Sequence, residues 1–143
     1  MTDGAPEIVN VNGVHEPSGP YSHAIRVPPH AEWLYVSGQI PVDEEGEVVG
    51  VGDLETQIGQ VFSNLDATLR SAGFGFRDVV KMTTFLVRAE DVPVFREIRD
   101  PYYRKHFPSG IYPTSTLVAV QRLANEAFLL EIEAVAARAV QAT

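Results

Sequence analysis

Glu131 and Glu133 stand two residues apart in Phe128-Leu129-Leu130-Glu131-Ile132-Glu133-Ala134, a run that is otherwise apolar. Side chains of an extended segment alternate faces, so the two carboxylates share one. A carboxylate inside an apolar strand costs free energy unless it is paired or used. Glu131 therefore needs a reason to be there, either a place in a site or a charge held by a neighbour. Tyr21 and His23, in Gly19-Pro20-Tyr21-Ser22-His23-Ala24, bring a phenol and an imidazole to a loop, where they either line a cleft or cap the core. Ser37 and Gly38 end a strand-like run and offer a hydroxyl and an open backbone; the hydroxyl could equally bond to nearby main chain. Ser115 adds a further hydroxyl two residues after Pro113.

Other chemistries are excluded by composition. His15, His23, His30 and His106 are scattered without metal-ligand spacing, and there is no cysteine, so no disulfide framework or thiolate zinc site can form. The acidic run Asp43-Glu44-Glu45-Gly46-Glu47 lacks the pattern of a calcium loop and reads as a solvated hairpin tip. There is no phosphate-binding loop, dinucleotide fingerprint or HExxH. The net charge of −8 argues against nucleic acid or anionic membrane as a partner, since both need a basic footprint. Met1 to Pro6 has neither the basic nor the apolar part of a signal peptide, and no apolar run is long enough for a membrane span. Together these predict a cytoplasmic protein whose 143 residues form one domain.

The elements that must position these groups follow from periodicity. Ile8–Val11 and His23–Val27 read as short strands, Val14–Tyr21 as a loop, and Trp33–Ser37 as a strong strand. Leu54, Ile58, Val61, Phe62, Leu65 and Leu69 recur at spacings of three and four, the stripe of an amphipathic helix, with Asp53 as N-cap and Gly73 just past its end. Val79–Val87 is a strand. A second helix begins near Asp91, with Phe95, Ile98 and Tyr102 inward and a kink or break at Pro101. Two strands close the chain, one through Ser115 and one from Phe128 onward. The order predicts an α+β domain with two helices on one face of a sheet. The alternation of Leu117, Ala119, Leu129 and Val135 leaves the second face too apolar for a clean solvated surface, so either other subunits cover it or it is a partly apolar exposed face.

Four motifs in register resemble the Rid (YjgF-like) family of reactive imine and enamine deaminases. Gly19-Pro20-Tyr21-Ser22-His23-Ala24 looks like its GPYS-x-A motif, and Ser37-Gly38-Gln39-Ile40-Pro41 like its SGQIP motif. Gly73 to Lys81 resembles the turn into its central strand, and Tyr112-Pro113 with Glu131-Ile132-Glu133-Ala134 its closing signature. The likeness runs from about Gly19 to Arg138 of the single domain 1–143. It implies a chorismate-mutase-like fold with a mainly antiparallel sheet of about six strands, assembled as a homotrimer with ligand clefts between subunits. It also implies hydrolysis of 2-imino acids or their enamine tautomers to 2-keto acids and ammonia, with no cofactor and no metal.

Carried over by the resemblance, Glu131 and Tyr21 are the catalytic pair and Ser37 and Gly38 line the cleft; Ser115, at the family's arginine position, and His23, which adjoins Tyr21, complete the expected substrate contacts. Ser115 departs from the family pattern, because most active members have arginine there. A serine cannot make the bidentate fork that holds a carboxylate. This predicts weak handling of 2-imino acids unless another cation enters the cleft, with His23 ahead of Arg104, Lys105 and His106. Arg122 sits past the strand end and does not replace the fork. Asp100 and Arg99 fall near the family's polar helix position, but Pro101 blurs the register and neither is assigned a role. Three functions compete: a hydrolytic deaminase, a non-catalytic trimer that binds a small molecule, and the endoribonuclease that the family's label suggests.

Overall fold

The structure, a computed structural model, describes residues 4–140. Its strands are β1 (Glu7–Ile8), β2 (Ile25–Arg26), β3 (Ala31–Gln39), β4 (Val79–Leu86), β5 (Thr114–Ala119) and β6 (Leu130–Ala139). Its helices are α1 (Leu54–Ser71) and α2 (Asp91–His106). The six strands fall into two sheets rather than one: an antiparallel β1–β2 pair and a four-stranded sheet ordered β3-β6-β4-β5. The last two strands of the chain are not neighbours. β4 lies between them, antiparallel to β6 and parallel to β5, and α2 makes the crossover that a parallel pair requires.

Helix α1 forms for the reasons its sequence suggests. The Asp53 carboxylate accepts from the Thr56 amide, satisfying one of the helix's free N–H groups, and Gly73 follows the C-cap at φ +77°. Ile58, Val61, Phe62, Leu65 and Leu69 are fully buried, each contributing roughly 1.5–3 kcal/mol of transfer free energy. They meet Val36, Met82, Leu86, Leu130, Ile132 and Ala134 of the sheet in one core that both helices share. Helix α2 departs from the expected pattern chiefly in the side chains that it buries. It continues without a break through Pro101, and the side chains it buries are Phe95, Arg99 and Tyr103, with Ile98 and Tyr102 only partly covered. An i, i+4, i+8 row therefore faces inward, and its middle member is charged.

Register sorts the sheet residues by face. Ser115, Met82, Ala134 and Val36 form one row across the sheet on the helix side. Leu117 lies in the next helix-side row and packs against the core, so it does not belong to the open face to which alternation alone assigned it. The open face instead carries Glu131, Glu133, Phe85, Val118, Val135 and Tyr35. Tyr35 is 77% exposed there and stacks on Trp33 at a ring-centre distance of 6.4 Å. No helix among the described residues is long and apolar enough to cross a membrane.

Candidate functional site

The sequence-predicted residues form two groups. In the first, β3 shifts register between Val36 and Gln39, so that Ser37 and Gly38 together oppose Glu133 of β6. Such a bulge bends the strand and re-aims its side chains. The Glu131 side chain lies over this bulge. A Cβ at position 38 would sit 2.7 Å from Glu131 Cδ and 2.9 Å from Cγ, so only glycine leaves room for the carboxylate. Among the described residues Glu131 has no ion-pair partner. Partial burial raises its pKa above the usual carboxylate value, and the like charge of Glu133 raises it further. Ser37 is exposed, and its carbonyl accepts from Gln39 Nε2 at 3.1 Å.

Two polar side chains of α1 fix this region. Asn64 donates to the carbonyls of Ile40 and Val42, both at 2.9 Å, and so ties down the segment after the bulge. Gln57 is completely buried. It donates to the carbonyls of Gly50 and Ala127, and its own carbonyl accepts from the Leu129 amide at 2.8 Å, two residues before Glu131. Neither side chain was singled out by the sequence. The only signal was a polar group inside the α1 stripe.

The second group is at the opposite edge of the sheet. Ser22 donates through its hydroxyl to the Tyr112 carbonyl at 2.6 Å and through its amide to the Pro113 carbonyl at 3.1 Å. These bonds pin the Tyr21 loop to the start of β5, bringing Tyr21 and Ser115 to one cavity of about 400 Å³. Arg96 and Arg99 of α2 line the same cavity.

His23 is near this cavity but does not line it. It sits in an adjacent one of about 350 Å³, its ring edge-on to Tyr21 at 5.5 Å and tilted against His15 at 5.1 Å. Its Nε2 lies 2.7 Å from the His15 carbonyl, which only accepts, so this nitrogen carries a proton and is committed. His106 stacks on Phe76 at 3.9 Å, and burial lowers its pKa, which disfavours the cation. The Arg122 guanidinium bonds within its own loop, to Leu123, Ala124 and Glu126. A larger cavity of about 610 Å³, between β1, β2 and the end of β6, contains none of the candidates. No cluster of three potential metal ligands occurs among the described residues.

Comparison with known proteins agrees with the motifs. The family model described as endoribonuclease L-PSP matches residues 13–138. A RutC family protein of Pyrococcus horikoshii is 35% identical over 131 residues, covering 91% of this chain and 96% of that protein. TdcF of Escherichia coli, provisionally named a reactive intermediate deaminase, is 32% identical over 121 residues, covering 84% of this chain and 88% of its own. The crystal structure of TdcF with bound serine superposes at a TM-score of 0.66, with 29% identity over 87% of this chain and 97% of that one. The Rid family protein YyfB of Yersinia pestis, whose function is unknown, superposes at 0.79, with 30% identity over 92% of this chain and 98% of that one.

Proposed function

Since this chain belongs to the endoribonuclease L-PSP family, which takes in the RutC and Rid proteins, we propose that it is a cofactor-independent hydrolase of imines and enamines. The observation that carries this reading is the Glu131 carboxyl over Gly38, without an ion-pair partner among the described residues and with a raised pKa. Such a group is able to accept a proton and to return one during a reaction. Water adds to the electrophilic imine carbon and gives a proton to Glu131. The carboxyl passes that proton to nitrogen, giving a carbinolamine; it then takes the hydroxyl proton and delivers it to the amino group, and the C–N bond breaks as the C=O bond forms and ammonia leaves. One water is consumed and no electrons change hands.

The complete site lies between chains of a homotrimer. Glu131, Ser37 and Gly38 belong to the β3 edge, while Tyr21 and Ser115 belong to the β5 edge. A single chain does not bring them together, whereas two neighbouring copies can. The exposed Trp33–Tyr35 stack and Val118 give the open face the apolar character that a covered sheet has. A small ligand and a cytoplasmic, single-domain protein fit this picture. RNA is a poor fit for a chain of net charge −8. The test generates an imine in situ with an amino-acid oxidase and follows release of the oxo acid and ammonia. Wild type should accelerate release and Glu131→Gln should not. An unaccelerated wild type would favour the second reading, a binding trimer of the same fold, for which Ser115 at the arginine position speaks.

A further inference from the structure

We infer that Arg99 of α2 is the cation that holds an acidic substrate in the Ser115 cavity, in place of a guanidinium from β5. The inference rests on the imine-hydrolase reading only for the word substrate; as an anion site it stands apart from it. Three observations converge. Arg99 is only 8% exposed, yet it has no carboxylate within 4.0 Å among the described residues, and its Nε has no hydrogen-bond partner. It is nevertheless held in one place, with its guanidinium carbon 4.7 Å from the Tyr103 ring centre and 5.6 Å from that of Phe95. It also lines the cavity that Tyr21, Ser115 and Leu117 share with the exposed Arg96.

A desolvated guanidinium without a counter-ion is costly, and aromatic faces offset that only in part. A carboxylate entering the cavity would satisfy it with paired, charge-assisted bonds. Ser115 is then suited to its position. A long side chain at 115 would compete with Arg99 for the same space, whereas a serine leaves it open and adds a hydroxyl. Glu97 and Asp100 also line the cavity, but both are exposed and neither pairs with Arg99. They favour a small anion that reaches past them over a polyanion. The sequence-based preference for His23 is replaced, since its ring faces another cavity and its Nε2 is committed to His15.

Calorimetry with pyruvate and with its amide tests the inference without turnover. Wild type should bind the acid and not the amide, and Arg99→Gln should lose at least about tenfold. Equal binding of acid and amide, no binding of either, or an Arg99→Gln loss below about twofold would each overturn it. If Arg99→Gln does not fold, Ser115→Asp decides. A carboxylate tethered beside Arg99 should raise the melting temperature and abolish pyruvate binding, and a variant that still binds pyruvate as wild type does refutes the assignment. The two proposals fail separately. Arg99-dependent binding without imine hydrolysis removes the deaminase and leaves the anion site. Hydrolysis of imino acids that Arg99→Gln leaves unchanged does the reverse.

Discussion

The Glu131 carboxylate occupies the space that a side chain on Gly38 would fill, so residues on β6 and β3 share a single volume. The bulge in β3 and the absence of a side chain at its second residue are parts of one arrangement. Together they let a carboxyl group rest on backbone.

Gly38→Ala should therefore push Glu131 off the bulge. The expected result is a folded protein with imine hydrolysis down about a hundredfold, the scale of a 1 Å misplacement, and stability down roughly 1–3 kcal/mol from overpacking. Urea unfolding and steady-state kinetics measure the two. Adding Glu131→Ala should recover most of the stability and none of the activity, which reveals the coupling between the residues.

The pH dependence of stability has a defined sign. Burial first, and Glu133 second, raise the pKa of Glu131 in the folded chain. The native state then holds this proton to higher pH than the unfolded chain does. Stability is lost as pH rises from the unfolded pKa to the folded one, and stays lost above it. Glu131→Gln should melt higher than wild type at neutral pH, with the gap closing on acidification through the carboxylate range. Glu133→Gln should move the acid limb of the activity profile to lower pH. An unmoved limb would mean that another group sets it.

Gln57→Leu tests the support of the β6 entry. The substitution leaves the Leu129 amide and the Ala127 carbonyl without their present partner. A destabilisation of about 3 kcal/mol is expected from unsatisfied buried groups at roughly 1–3 kcal/mol each. Denaturant titration reads the stability. Loss of activity below the melting transition would show that Glu131 has also shifted.

Shared sites make a prediction about mixtures. Light scattering should give a trimer mass. Tyr21→Ala and Glu131→Gln, each inactive alone, should regain activity when unfolded together and refolded. For random assembly with one site at each junction, about a quarter of the sites combine two intact halves. No recovery would place all catalytic groups within one chain.

Much of this was legible in the sequence, for reasons tied to particular residues. The α1 stripe and the Asp53 cap are local features, and Glu131 stood out because a charge interrupts an apolar strand. The pairing of β4 between β5 and β6 was not legible, since partners in a sheet are chosen by contacts far apart in the chain. Nor was the role of Leu117, because alternation divides a strand into two faces without saying which is buried. Arg99 was left without a role because Pro101 blurs the register of its helix against the family pattern. Its row with Phe95 and Tyr103 at steps of four was the available clue, as aromatic rings on both sides can cover a guanidinium.

The strand order has a consequence for how the protein is made. β6 pairs with both β3 and β4, so the sheet is two separate pieces until this strand leaves the ribosome. During synthesis β3 waits without any partner, while β4, α2 and β5 can assemble early as a local unit. The nascent chain therefore carries open strand edges until β6 emerges, the condition in which chains pair wrongly with one another. Mutations that slow docking of β6 should reduce soluble yield from cells more than they reduce the melting temperature of the protein that survives.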